Sequence, residues 1–241
     1  MAHNINFNEQ TQQHSFFSVK EKAWHGLGQI VQDYPNSAAA LQFAGLDFEV
    51  CKRPNIHKLD DGTEIISKNS FYTYRPDCCA ILGDRLGKDY EVVQNIDAFS
   101  FFDAIVGGDG IQYETAGALG KGEKIFITAK LPGYIKVGND DMIEKYLFLT
   151  TSHDGYGSIM AAFTPVRIVC NNTLNAALRN HTNAIKIRHT ANAKERLEEA
   201  HKVMGISNQL SVQLEGIFNQ WAKVRITDKE DGGFYVPNLS L

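Results

Sequence analysis

The chain has 241 residues, 43% of them hydrophobic and 22% charged, which is enough apolar material for a substantial core and excludes wholesale disorder. Its formal charge of -4 excludes a uniformly basic nucleic-acid binder but leaves room for a local basic patch. The charge is uneven: residues 179–225 carry eight Lys or Arg against four acids and are +4, which leaves -8 for the remainder.

Residues 1–15 are polar and rich in Asn and Gln, and read as a flexible N-terminal tail. Trp24-His25-Gly26-Leu27-Gly28 predicts a glycine-punctuated turn that docks an aromatic anchor on the core. Residues 37–43 predict a short helix capped by Asn36 or Ser37, with Gly45 at its C-terminal stop. Residues 48–53 and 64–74 predict a hairpin around Asp60-Asp61-Gly62 that ends at Arg75-Pro76-Asp77. Short strands are expected at 79–82 and 90–93.

Residues 95–106 repeat apolar positions at helical spacing behind the cap Asn95. Four strands follow, at 113–118, 124–131, 145–152 and 158–170, joined by turn-forming segments that make an antiparallel meander. A capped helix is expected from Asn171 to residue 178. From Asn192, Leu197, Ala200, Met204, Leu210, Leu214 and Trp221 recur at helical spacing. The expected fold is α+β, an antiparallel β-sheet meander packed by helices. It comprises a tail at 1–15, a core domain at 16–190 and a helical C-terminal extension at 191–241.

No apolar run approaches the roughly 20 residues of a membrane span, and the N-terminus has no apolar signal core. A cytoplasmic protein is expected, with Cys51, Cys78, Cys79 and Cys170 as reduced thiols. Core packing is the expected role of Cys78, Cys79 and Cys170, and no C-x-x-C pair marks a structural zinc site. No cofactor is called for.

The segment TPVRIVCNNTLNAAL, residues 164–178, delivers Arg167 near a strand end and then offers Asn171, Asn172 and Thr173 at a helix start. Unpaired helix N–H groups beside an Arg fork favour an anion, and the phosphate of a nucleic acid or nucleotide is the natural guest. The competing description pairs Arg167 with an acid on a neighbouring strand and leaves the asparagines as caps. Lys121 and Lys124, at the tip of the 117–124 turn, are placed to touch backbone phosphates. Those glycines are no phosphate loop, because a strand follows them.

Arg179, Lys186 and Arg188 open the basic stretch and extend the same footprint. Tyr72, Tyr74 and Tyr113 are the aromatic residues available by composition for base stacking. His153 and Asp154 offer a general base and a carboxylate, or metal ligands, although Asp154-Gly155 also reads as a plain turn.

Six segments together resemble the phage- and plasmid-encoded family catalogued as domain of unknown function nine hundred and thirty-two. They are AWHGLG at 23–28, YRPD at 74–77, LGKDYEVVQN at 86–95, YETAGALGKGEKIF at 113–126, SHDG at 152–155 and TPVRIVCNNTLNAAL at 164–178. The resemblance implies work on the DNA of a mobile element or in its contest with host defences, and carries no settled activity. The order of strands feeding a helix is also similar, at the level of fold alone, to the core of phage single-strand annealing proteins of the Rad and Erf type.

The leading expectation is a non-enzymatic protein that binds single-stranded DNA. A regulatory or anti-defence protein that binds a host defence or replication protein is the second expectation, and a metal-dependent nuclease or nucleotide hydrolase using His153 and Asp154 is the third. A homo-oligomer is compatible with all three.

Overall fold

The computed structural model describes residues 3–106, 112–137, 141–193 and 195–196. Contacts divide the chain into one unit of residues 1–133 with 144–205 and a second of 134–143 with 206–241. Of the second, the described part is the distal end of one β-hairpin. The fold is mixed α and β, mostly strand and mainly antiparallel.

The strands are β1 (Phe7–Asn8), β2 (Gln13–His14), β3 (Phe16–Val19), β4 (Gln29–Val31), β5 (Cys51–Lys58), β6 (Glu64–Tyr74), β7 (Ile81–Leu86), β8 (Gln112–Leu119), β9 (Lys124–Val137), β10 (Asp141–Ser152), β11 (Ile159–Thr164) and β12 (Thr182–Ile187). The helices are α1 (Ser37–Phe43), α2 (Asn95–Val106) and α3 (Asn171–Arg179). Among the described residues, seven strands form one sheet in the order β12-β11-β10-β9-β8-β3-β4, and β5-β6-β7 form a second.

The expected meander is the centre of the large sheet. Its strands carry almost unbroken apolar runs because both faces are covered. On one face, Phe126, Phe148, Met160 and Ala162 pack against Ile168, Leu174 and Ala177 of the α3 segment. The opposite faces of the same strands bury Ile125, Ile127, Leu147 and Leu149.

Pro165 removes a ladder donor just past Thr164, so β11 stops there rather than at residue 170. Residues 165–170 instead cross the α3 side of the sheet, where Ile168 O accepts the Thr115 hydroxyl.

Several expectations are corrected. Residues 3–15 are not a loose arm: Ile5 bridges to Leu119, Asn6 N–H donates to Ala118 O at 2.9 Å, and β1 pairs with β2. Trp24 does not dock on the core and is 65% exposed; His25 does so instead, through Nε2 and Val169 O at 2.8 Å. Residues 90–93 form no strand. Cys78 and Cys79 are exposed rather than core residues, while Cys170 is buried at the α3 N-terminus as expected.

No element is expected from the sequence between α3 and residue 190, and the chain there forms β12, whose Ile185, Lys186 and Ile187 alternate as suits an edge strand paired to β11. The helical extension expected at 191–241 lies outside the described residues, apart from its first turn. Among the described residues no helix is long and apolar enough to cross a membrane.

Candidate functional site

Arg167 has the acidic neighbour that decides between its two sequence descriptions. Its Nε donates to Glu114 Oε1 at 2.9 Å and its Nη2 lies 2.8 Å from the same oxygen, while Nη2 also donates to Ser18 Oγ at 2.9 Å. Nη1 sits 3.7 Å from Glu21 Oε2. Burial pushes the Glu114 carboxyl above its ordinary range, and the neighbouring Arg167 offsets only part of that.

Next to this pair, Lys130 bonds Glu144, which also accepts the Tyr146 hydroxyl. Burial works against both charges, yet the mutual bond lifts Lys130 and holds Glu144 below the usual carboxylate range. Glu114, Lys130, Glu144 and Tyr146 carry no signal of their own in the sequence, because only the sheet register and the crossing segment bring them together.

The start of α3 caps itself. Thr173 Oγ1 accepts the N–H groups of Val169 and Cys170, each at 2.9 Å, and donates to Cys170 O, while Asn171 N–H donates to His3 O at 3.0 Å. Asn172 is exposed. Replacing Thr173 with Ala strands two backbone donors and is expected to cost about 1–2 kcal/mol in a urea titration.

His153 and Asp154 stand where the two sheets meet. The His153 ring is wholly buried, with Nε2 and Asn95 Oδ1 at 2.9 Å, and its backbone accepts the Thr73 hydroxyl and donates to Glu123 O. Asp154 accepts the Ser152 hydroxyl and Tyr156 N–H, and its backbone lies 2.7 Å from where a Cβ on Gly83 would stand. The two side chains do not converge on a third acid. Among the described residues no group of three His, Cys, Asp or Glu is placed to hold a metal. SHDG thus joins the sheets.

Antiparallel pairing puts the end of β8, the start of β9, the end of β10, the start of β11 and the end of β12 at one end of the large sheet. Lys121 and Lys124 at the β8–β9 turn therefore share that end with Lys186 and Arg188. Lys121, Lys186 and Arg188 are exposed, and the Glu123 carboxylate folds back on its own turn to accept Lys121 N–H. Arg179, also exposed, precedes the start of β12 and lies toward the other end.

The small sheet docks at the basic end through Thr73 and His153. On its other face Tyr72 and Tyr74 stand side by side, ring centroids 5.7 Å apart. Arg53 is opposite Tyr72 on β5, and Ile81, 52% exposed, is opposite Tyr74 on β7. Directly opposed antiparallel residues share a face, so Arg53, both tyrosines and Ile81 make one aromatic and basic surface. Tyr113 does not join it, being buried against Phe99 and Phe102. Arg53 and Ile81 had no signal of their own in the sequence; the Tyr-x-Tyr alternation on a strand was the usable one.

The chain has no match among curated proteins and none among solved structures. Residues 84–237 match the family described as Domain of unknown function (DUF932). The match takes in the segments at 86–95, 113–126, 152–155 and 164–178, and continues past them into the basic stretch. Because it spans well over half of the chain, this protein belongs to the DUF932 family.

Proposed function

We propose that the chain is a cytoplasmic protein of a mobile element that binds single-stranded DNA without breaking a bond, in annealing, recombination or protection of the strand. The observation that carries this reading is the half-buried Tyr72–Tyr74 pair on a sheet face it shares with the exposed Arg53. Neighbouring aromatic rings on a sheet accept successive unstacked bases, whatever the sequence, and an adjacent guanidinium neutralises the backbone. Lys121, Lys124, Lys186 and Arg188, gathered at the end of the large sheet where the small one docks, extend the phosphate track. A duplex offers no free base faces, so the reading favours single strands.

Fluorescence anisotropy with a labelled oligo-thymidine of about 20 nucleotides tests it, that length exceeding one site of this kind. Affinity is expected to fall with salt by a log-log slope of about -0.7 per phosphate contacted. Tyr72→Ala and Tyr74→Ala should each weaken binding by about 1–3 kcal/mol, and Lys186→Glu with Arg188→Glu should flatten the salt slope. Absent or salt-independent binding sinks the reading.

A second reading, a regulatory or anti-defence protein that docks on a host protein, is favoured by the far end of the β5–β6 hairpin. There Ile56, Leu59, Ile65 and Ile66 are 46–62% exposed. One stoichiometric partner recovered from host lysate, with no oligonucleotide affinity, selects it.

A further inference from the structure

Two ion pairs sit on the α3 side of the large sheet, toward the end away from the β8–β9 turn. Alternation along β10 puts Glu144 and Tyr146 on the same face as Phe148, and alternation along β9 puts Thr128 and Lys130 on the same face as Phe126. Arg167 reaches the same area from the crossing segment 165–170 and holds Glu114 of β8. Net stability is a poor reason for the Arg167–Glu114 pair in this position, since a buried pair gains little over well-packed apolar side chains.

Exposure is graded across the cluster. The side chains of Lys130 and Arg167 are 28% and 19% exposed, whereas that of Glu114 is 7% exposed; the rim carboxylates Glu144 and Glu21 are 37% and 80% exposed. An anion arriving from solvent can reach both cations only past Glu21, which stands 3.7 Å from Arg167 Nη1 and is free to swing away, while Glu114, the carboxylate that forks with Arg167, is the more buried of its partners. In the same area the Thr128 hydroxyl is wholly buried with no hydrogen-bond partner, an unmet polar group of a kind that native interiors seldom keep without a reason.

We propose that this cluster is a binding site for a tetrahedral oxyanion, in particular a phosphoryl group, with Arg167 and Lys130 as its cationic ligands and Glu114 as the resident carboxylate that the anion replaces on Arg167. The site is separate from the aromatic face and does not depend on the reading given above.

The groups facing Glu114 are Arg167 from the crossing segment, Lys130 from β9, Glu144 and Tyr146 from β10, and Tyr34 from the segment between β4 and α1. Glu144 stays ionised under the combined hold of Lys130 and Tyr146. Glu114, whose charge burial already disfavours, is then the group that takes up a proton when the anion arrives. Protonation frees the Arg167 fork, so affinity rises as pH falls, by at most about tenfold per pH unit for one proton taken up.

Isothermal titration with sulfate, which keeps its charge across the range, tests this at pH 7.5 and 5.5. Wild-type protein should bind at least tenfold more tightly at pH 5.5. Glu114→Gln should bind at pH 7.5 as tightly as wild type does at pH 5.5, with the pH dependence lost, and adding Arg167→Met should abolish binding. Orthophosphate and thymidine 5′-monophosphate, titrated into Glu114→Gln, separate the sources: equal affinities indicate free phosphate, and a tighter nucleotide indicates a nucleotide phosphate. Near-UV circular dichroism checks the fold, and the wild-type pH arm decides the matter if the variant fails to fold. Absence of sulfate binding by wild type at pH 5.5, pH dependence that persists in Glu114→Gln, or binding that survives Arg167→Met overturns the proposal.

Discussion

Acidifying the protein from pH 6.5 to pH 5 should lower its unfolding free energy by about 2 kcal/mol through His153 alone, at about 1.4 kcal/mol per pH unit for one histidine. The ring is wholly buried where the two sheets meet, and burial, with a smaller contribution from His189, pushes its pKa down to about 3. Asn95 Nδ2 donates to Leu46 O, which leaves Asn95 Oδ1 to accept from His153 Nε2–H. His153 Nδ1 then has no partner, so a proton added there enters the interior without an acceptor.

The sign follows from the depressed value. The unfolded chain takes up the proton near the ordinary histidine value of 6.5 and the folded chain does not, so stability is full above that pH and declines as pH falls toward 3. His189, bonded to Thr151 and to Glu91 O and stacked on Tyr90, is also held low by burial and steepens the same decline. Glu114, shifted upward, acts with the opposite sign. Urea titrations at half-unit pH steps measure the slope, and replacing His153 with Asn should flatten it. An equal slope in wild type and variant would show that the decline comes from other groups.

That junction also shows how far the sequence could be read. The four-strand meander, α2 and the α3 start were legible because hydrophobic period and caps are local: Asn36 caps α1 and Gly45 takes φ 60° behind it, as its position in the sequence implied. What failed was long-range pairing. The β3–β4 parallel pair, β12 returning beside β11, and the docking of residues 3–15 on β8 depend on partners between 12 and more than 100 residues away in the chain, and no local period encodes them.

The candidate sites divide in the same way. Arg167 could be singled out by type and position, but its partners Glu114 and Ser18 lie 53 and 149 residues away. Arg75 reads in the sequence as part of a strand end, because Pro76 follows it, and its chemistry depends on residues from three other segments. Tyr72 and Tyr74 had the right spacing, yet which face they share, and with what, was fixed only by the β5 and β7 registers.

Arg75→Ala should destabilise the fold by roughly 3 kcal/mol, the low end for breaking a buried pair, whereas Arg75→Lys should recover less than half of that. The side chain is 2% exposed and holds three segments together. Its Nε and Nη2 make a fork to Asp77 at 3.1 and 2.6 Å, Nη1 donates to Lys121 O at 3.2 Å and to Asn6 Oδ1 at 3.4 Å, and the guanidinium lies 3.7 Å from the Phe48 ring centroid. Asp77, 34% exposed, can be rehydrated once its partner is gone, which keeps the loss at that low end.

Burial pushes the Asp77 carboxyl up, but Arg75 outweighs it and holds the group below its ordinary range. Lysine supplies a charge without the planar fork or the ring stack, so it replaces one bond of four. Gly122 sets the geometry: a Cβ there would stand 2.8 Å from Arg75 Nη1, and its backbone is at φ 102°. The turn that carries Lys121 is thus built against Arg75. Loss of Arg75 should loosen the β8–β9 tip and the first strands together, seen as faster amide exchange at Asn6, Lys121 and Gly122. Exchange that changes at only one of these segments, or a stability loss below about 1 kcal/mol, would show that the clamp is not shared.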